Sequence, residues 1–136
     1  MLNQFSRTEL LFGKEAMEKL ASSHIAVFGI GGVGGYTVEA LVRSGIGAVD
    51  LIDDDKICLT NINRQIYATR KTVGQYKVDI AEERCKEINP DVTVNAYKMF
   101  YTPETSSQLD FTKYDYIVDQ SSLGKPNSSF DYLQHQ

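Results

Sequence analysis

The sequence predicts an α/β fold: a doubly wound, mostly parallel sheet with helices on both faces, incomplete at the C-terminus. Three observations predict it. Short apolar runs alternate with longer stretches of helical period. The first of these runs ends in the glycine-rich turn Phe28-Gly29-Ile30-Gly31-Gly32-Val33-Gly34-Gly35, and the second ends in Leu51-Ile52-Asp53-Asp54-Asp55.

Thr8 to Ala21 reads as one or two short helices around Gly13, with Leu10, Leu11, Ala16, Met17 and Leu20 forming an apolar face. Ile25 to Gly29 is a short apolar run closed by glycine, the pattern of a buried parallel strand. Val33 to Ser44 carries Val38, Leu41 and Val42 at helical spacing and stops at Gly45, a natural helix C-terminus. A second strand covers Ala48 to Ile52. Gly74 to Asn89 is the clearest helix: Val78, Ala81, Cys85 and Ile88 share one face, and Pro90 ends it. Val92 to Ala96 is a third strand. Thr102-Pro103-Glu104 has the form of a helix start, and Tyr114 to Val118 is a fourth strand. After Asp119 the run from Gln120 to Ser129 has neither period and reads as an irregular tail over 120–136.

Composition sets bounds on function. A chain of 136 residues is one small domain, and its net charge of −4 argues against a broadly basic nucleic-acid surface. No apolar run approaches the roughly 18 residues of a membrane span, and the first twenty or so are too polar for a signal peptide, so the cytoplasm is the expected compartment. Cys58 and Cys85 lack the paired spacing of a structural zinc site and are expected to be buried or half-buried free thiols.

Gly29, Gly31 and Gly34 follow a predicted strand and open a predicted helix, the context in which glycines let backbone amides approach a phosphate. With Gly32 they form a Rossmann-like nucleotide loop. Asp53, at the end of the next strand, can accept ribose hydroxyls, whereas Asp54 reads as solvated. From Lys56 to Val78 there are five cations (Lys56, Arg64, Arg70, Lys71 and Lys77) and no acid, the one concentrated positive stretch in an acidic chain. Arg64 and Lys77 have the right chemistry to stabilise charge on a leaving pyrophosphate.

These residues closely resemble the ubiquitin-activating-like superfamily that includes the bacterial ThiF and MoeB adenylyltransferases. The resemblance lies in Gly29 to Gly35, Leu51-Ile52-Asp53, Thr60-Asn61-Ile62-Asn63-Arg64-Gln65 and Val73-Gly74-Gln75-Tyr76-Lys77, within a span from about Arg7 to Asp119. Ser44 to Ala48, Cys58 to Ala68 and Glu87-Ile88-Asn89-Pro90 look most like its tRNA threonylcarbamoyladenosine dehydratase branch.

The resemblance implies an ATP-binding domain over 1–119. The glycine loop (Gly29, Gly31, Gly32, Gly34) would hold the phosphates and Asp53 the ribose. Asn61, Arg64 and Lys77 would stabilise the departing pyrophosphate, with Mg2+ as the accompanying ion. Arg7 matches an arginine that reaches into a partner subunit's ATP site, which implies a homodimer. The implied reaction is adenylation of the threonine carboxylate on a modified tRNA adenosine, then ring closure with release of AMP. The tRNA partner rests on the resemblance alone, as do sulfur-carrier or cysteine desulfurase partners.

One position departs from the pattern. The superfamily carries a second aspartate three residues after the position of Asp119, and Ser122 stands there in this chain, removing a hard oxygen ligand from the Mg2+ site. The branch's proposed catalytic cysteine has no counterpart in Cys58 or Cys85. The expectation is a chain cut or frame-shifted after Asp119, an ATP-site fragment with little or no activity. Two other readings stay open: an NAD-dependent oxidoreductase domain, which gives no role to Asn61, Arg64 and Lys77, and a non-catalytic interaction module built on the nucleotide fold.

Overall fold

The computed structural model describes residues 3–100 and 109–120. Four parallel strands form one sheet in the order β3-β2-β1-β4, built from β1 (His24–Phe28), β2 (Ala48–Ile52), β3 (Thr93–Tyr97) and β4 (Tyr116–Asp119). Four helices are described: α1 (Ser6–Phe12), α2 (Lys14–Ala21), α3 (Gly32–Ser44) and α4 (Lys77–Ile88). The chain runs outward from β1 to β2 and β3, then returns to lay β4 on the other side of β1. This is the doubly wound topology that the sequence predicts, with its switch point between β1 and β4.

The sheet is covered differently on its two faces. Ile25, Val27, Val49, Leu51 and Val94 point to one face and pack against Val38 and Val42 of α3 and Val78, Ala81 and Cys85 of α4. Full burial of a valine or leucine side chain contributes about 1.5–3 kcal/mol, so this layer is the main source of cohesion. On the other face Ala26, Phe28 and Ile52 pack with Leu109, and Met99, Phe111 and Tyr114 cover them as the chain crosses from β3 to β4.

Local chemistry explains the helix ends. Gly45 adopts φ 109° at the end of α3, a left-handed conformation that glycine takes without strain, and it sets the turn into β2. Expected helix residues 74–76 are not helical: Gly74 N–H donates to Ile57 O (2.8 Å), Ile57 N–H donates to Gln75 O (2.8 Å), and Tyr76 bridges to Lys56. The first turn is given over to pairing with the 55–57 segment, and α4 starts at Lys77.

Two further expectations need correction. Leu10 and Leu11 do not form a buried face on the N-terminal helices: they are 87% and 81% exposed, Ala16 is also exposed, and only Met17 and Leu20 are half-buried. The reason is that α1 ends at Gly13 and turns its leucines outward while α2 alone packs against the core. Cys58 is exposed because it begins a surface turn, whereas Cys85 is buried and its thiol is pushed up to about 12 by burial. The expected helix start at Thr102 lies outside the described residues, as does most of the 120–136 tail. Among the described residues no helix is long and apolar enough to cross a membrane.

Candidate nucleotide site

The carboxyl ends of β1 and β2 hold the glycine loop. Gly29 turns the chain out of β1 with φ 89° while its N–H donates to Ile52 O at 2.9 Å. A Cβ on Gly34 would stand 1.8 Å from Gly29 O and 2.9 Å from its carbonyl carbon, so the loop and the first turn of α3 come this close only because Gly34 has no side chain. Gln120, just past β4, closes the loop from the other side, 3.3 Å from the same position.

Helix α3 begins at Gly32, and no side chain caps it. The first amides of a helix have no intrahelical acceptor, and the helix dipole adds partial positive charge there. A thirteen-residue helix whose uncapped start sits at a topological switch point is arranged for an anion.

Asp53 joins this loop to the second strand. One carboxylate oxygen accepts the Ile30 N–H and the other the Asp55 N–H, both at 2.7 Å, while its own N–H donates to Tyr97 O at 3.2 Å. Burial pushes the Asp53 carboxyl above the ordinary aspartate range, against the two amide donors and the nearby Lys77 charge. Each oxygen keeps a lone pair free, so the carboxylate can accept two hydroxyls. Lys77, the first residue of α4, is buried; its N–H donates to Asp55 O at 3.1 Å and its Nζ lies 3.7 Å from Asp55 Oδ2.

The segment after β2 runs back along the glycine loop. Asn61, on a 3-10 turn over Leu59–Asn63, is buried, and its Oδ1 accepts the Cys58 N–H at 2.9 Å. That bond fixes the turn and leaves the Asn61 side-chain NH2 as its outward donor. Arg64 is exposed and curls onto its own turn, donating from Nη1 to Thr60 O (3.1 Å) and Asn63 Oδ1 (2.9 Å). Ile66 and Tyr67 reach within 3.2 and 3.3 Å of where a Gly35 Cβ would be. This contact seats the 61–67 segment against the start of α3.

The sequence pattern of the ThiF family matches residues 5–121, which includes every residue of this loop and its flanking segments. The chain belongs to the ThiF family. It is 51% identical over 121 residues to a tRNA threonylcarbamoyladenosine dehydratase of Bacillus subtilis (strain 168), covering 89% of this chain and 48% of that protein. The same enzyme of Escherichia coli (strain K12) is 42% identical over 126 residues, covering 93% of this chain and 47% of the relative. A sulfur carrier protein adenylyltransferase of Thermus thermophilus is more distant, 33% identical over 122 residues, with 88% of this chain and 45% of the relative covered. Among solved structures, the E. coli dehydratase in complex with ATP superposes with a TM-score of 0.91 at 41% identity, over 97% of this chain and 55% of that one. This ThiF-family chain therefore spans about half the length of the relatives that it matches.

The ThiF-family fold brings most of the predicted site residues to one end of the sheet. Gly29, Gly31, Gly32, Gly34 and Asp53 form the loop and its latch, Lys77 stands beside the aspartates, and the turn with Asn61 and Arg64 flanks the loop. Arg7 is not among them. Phe5, just before α1, packs at Gly45, and Gln4 donates to Ile88 O at 3.0 Å, so Arg7 lies by the far ends of α3 and α4. Ser122 is outside the described residues. Two features were not visible in the sequence: the Ile30 amide as the partner of Asp53, and Gln120 as the far wall of the loop. Neither has a residue-type signal, because both depend on which strand lies beside β1.

Proposed function

We propose that this chain, over residues 1–119, binds ATP as the nucleotide half of an adenylation site. In that reaction a carboxylate oxygen attacks the α-phosphorus, the bond to the bridging oxygen breaks, and pyrophosphate leaves. The observation that carries the reading is the hydrogen bond from Ile30 to Asp53, which couples a phosphate-binding loop to a ribose-binding carboxylate at the switch point of the sheet. Solved structures of the E. coli dehydratase in complex with ATP and with AMP support the adenine nucleotide.

Each residue then has a task. The uncapped amides of α3 hold phosphoryl oxygens, and the Asp53 carboxylate takes the ribose hydroxyls. Lys77, held by Asp55, offers a fixed ammonium, while Arg64 exchanges its neutral partners Thr60 O and Asn63 Oδ1 for phosphate, where a charge-assisted bond is stronger. Asn61 contributes its side-chain NH2. Mg2+ would neutralise triphosphate charge; Asp54 and Asp55, which offer ligand oxygens within 4.8 Å of each other and of Asp53, are hard donors at this end of the sheet.

The substrate proposed is the threonylcarbamoyl carboxylate of a modified tRNA adenosine, on the strength of the names of the B. subtilis and E. coli relatives. Arg7 would serve a second copy's site, since it lies away from its own. A calorimetric titration of the chain with ATP and Mg2+, AMP and NAD tests the reading. ATP with Mg2+ is expected to bind more tightly than NAD, and the reverse order would sink it.

A further inference from the structure

Three cations of the positive stretch have no task in the nucleotide site. Lys56, Arg70 and Lys71 are exposed, and none makes an ion pair with any described residue, although acids outnumber cations in the chain by 18 to 14. The fold gathers them. Ile57 N–H donates to Gln75 O at 2.8 Å and Gln75 Nε2 donates to Lys71 O at 3.0 Å, which brings the turn with Arg70 and Lys71 up to the 56–57 segment. Lys56 bridges to Tyr76, and its Nζ lies 5.1 Å from the centre of that ring. A fourth cation comes from elsewhere in the sequence: Lys98, one residue past β3, places its Nζ 4.8 Å from the same ring centre and 3.0 Å from Asp79 Oδ2. Tyr76 is itself fixed, half-buried against the core at the start of α4.

We propose that Lys56, Arg70, Lys71 and Lys98, grouped around Tyr76, form the surface on which this chain holds the phosphodiester backbone of its RNA substrate. The assignment rests on the tRNA reading above and gives that substrate a place on the fold. Exposed cations without carboxylate partners can neutralise an external polyanion with no internal ion pair to break first. Of the acids flanking these cations in sequence, Asp55 pairs with Lys77 and Asp79 with Lys98, which leaves Asp54 to oppose their field. Attraction between each ammonium and the Tyr76 ring offsets the mutual repulsion of Lys56 and Lys98 and holds the two at a common point. The position suits the chemistry. Lys56 follows β2 and Lys98 follows β3, so both stand at the carboxyl end of the sheet, where the nucleotide site lies. A backbone held there brings a nucleoside of the RNA to the end of the sheet that binds ATP.

The test is fluorescence anisotropy of labelled tRNA titrated with the full 136-residue chain over a series of salt concentrations. The parent is compared with the double variant Arg70→Gln, Lys71→Gln and with a control, Lys14→Gln, Lys19→Gln, which removes the same charge from exposed positions on α2. For Arg70→Gln, Lys71→Gln the affinity falls, and the plot of log affinity against log salt flattens by about 1.4 to 1.8, the change for two lost phosphate contacts. Lys56→Gln alone flattens it by about 0.7 to 0.9. The control keeps the slope of the parent. Equal affinities and slopes for the two double variants overturn this surface while the tRNA reading stands. A parent chain that does not bind tRNA even at low salt overturns both.

Discussion

The Asp53 carboxylate accepts the Ile30 amide at 2.7 Å, tying the glycine loop that leaves β1 to the end of β2. One side chain thus shapes the phosphate cradle and presents the ribose acceptor. Replacing it with alanine leaves the Ile30 and Asp55 amides without their acceptor and removes the ribose contact. Asp53→Ala is expected to weaken ATP binding by at least roughly a hundredfold, the effect of two lost charge-assisted bonds, as read by calorimetry. An affinity within about threefold of the parent would contradict the role.

Burial raises the Asp53 pKa, and this fixes a pH dependence. Nucleotide affinity should climb as pH rises through that raised value, with a midpoint above about 3.9, where an unperturbed aspartate titrates. In the free chain the sign is opposite. Between the unfolded and folded pKa values the native state holds more protons, so this group's contribution to stability declines with rising pH and is flat above the folded value. Titrating ATP from about pH 4 to pH 7 reads the first effect, and an affinity that does not rise across that range would refute it.

Asp50 is the opposite case. Fully buried on β2, it accepts from His24 Nε2 (2.7 Å), Asn95 Nδ2 (2.8 Å) and Tyr114 Oη (2.6 Å), with Lys113 Nζ at 3.7 Å. Burial pushes its carboxyl up, but the hydrogen bonds from Tyr114, His24 and Asn95 outweigh burial, and the net shift is downward. Its stabilisation is therefore complete above the unfolded aspartate value and is lost as pH falls through the lower folded one. Asp50→Ala is expected to cost about 3–5 kcal/mol in urea denaturation, as when one partner of a buried charged network is removed. Asp50→Asn should flatten the acid limb of the stability profile, and an unchanged limb would count against this account.

The glycines of the loop are not equivalent. A Cβ on Gly34 would meet Gly29 O at 1.8 Å, whereas one on Gly32 has nothing within 4 Å. Gly34→Ala should destabilise by about 1–3 kcal/mol or more, because backbone must move, and abolish nucleotide binding. Gly32→Ala should keep the urea midpoint of the parent. Equal midpoints for the two variants would show that the close approach is not needed.

Tyr67 carries a buried hydroxyl with no hydrogen-bond partner among the described residues, and burial raises its pKa. Removing an unsatisfied buried hydroxyl while keeping the ring relieves a desolvation cost of about 1–3 kcal/mol. Tyr67→Phe should therefore match or exceed the parent in thermal denaturation. A clear loss of stability would show that the hydroxyl has a bound water or another partner.

Local pattern made much of this protein legible. Val38 and Val42, a helical turn apart before Gly45, predicted a buried stripe and a stop, and both valines are fully buried. The glycines after β1 and the aspartate after β2 marked the phosphate loop and its acidic partner, because close backbone approach and hydroxyl acceptance demand those residue types. The same logic failed for Leu10 and Leu11. Apolar spacing says that a face can be buried, not that anything lies against it.

The sequence by itself determined which segments are strands and helices, where the glycine loop sits, and which carboxylate stands at the end of β2, since period, glycine and charge are local properties of the chain. Only the tertiary structure decided that β4 returns beside β1, that Asp53 reaches Ile30, that Gln65 lies over Gly31, and that Asp50 is held by residues up to 64 positions away. Those relationships depend on strand order and on side-chain contacts between distant segments, and no local pattern encodes either.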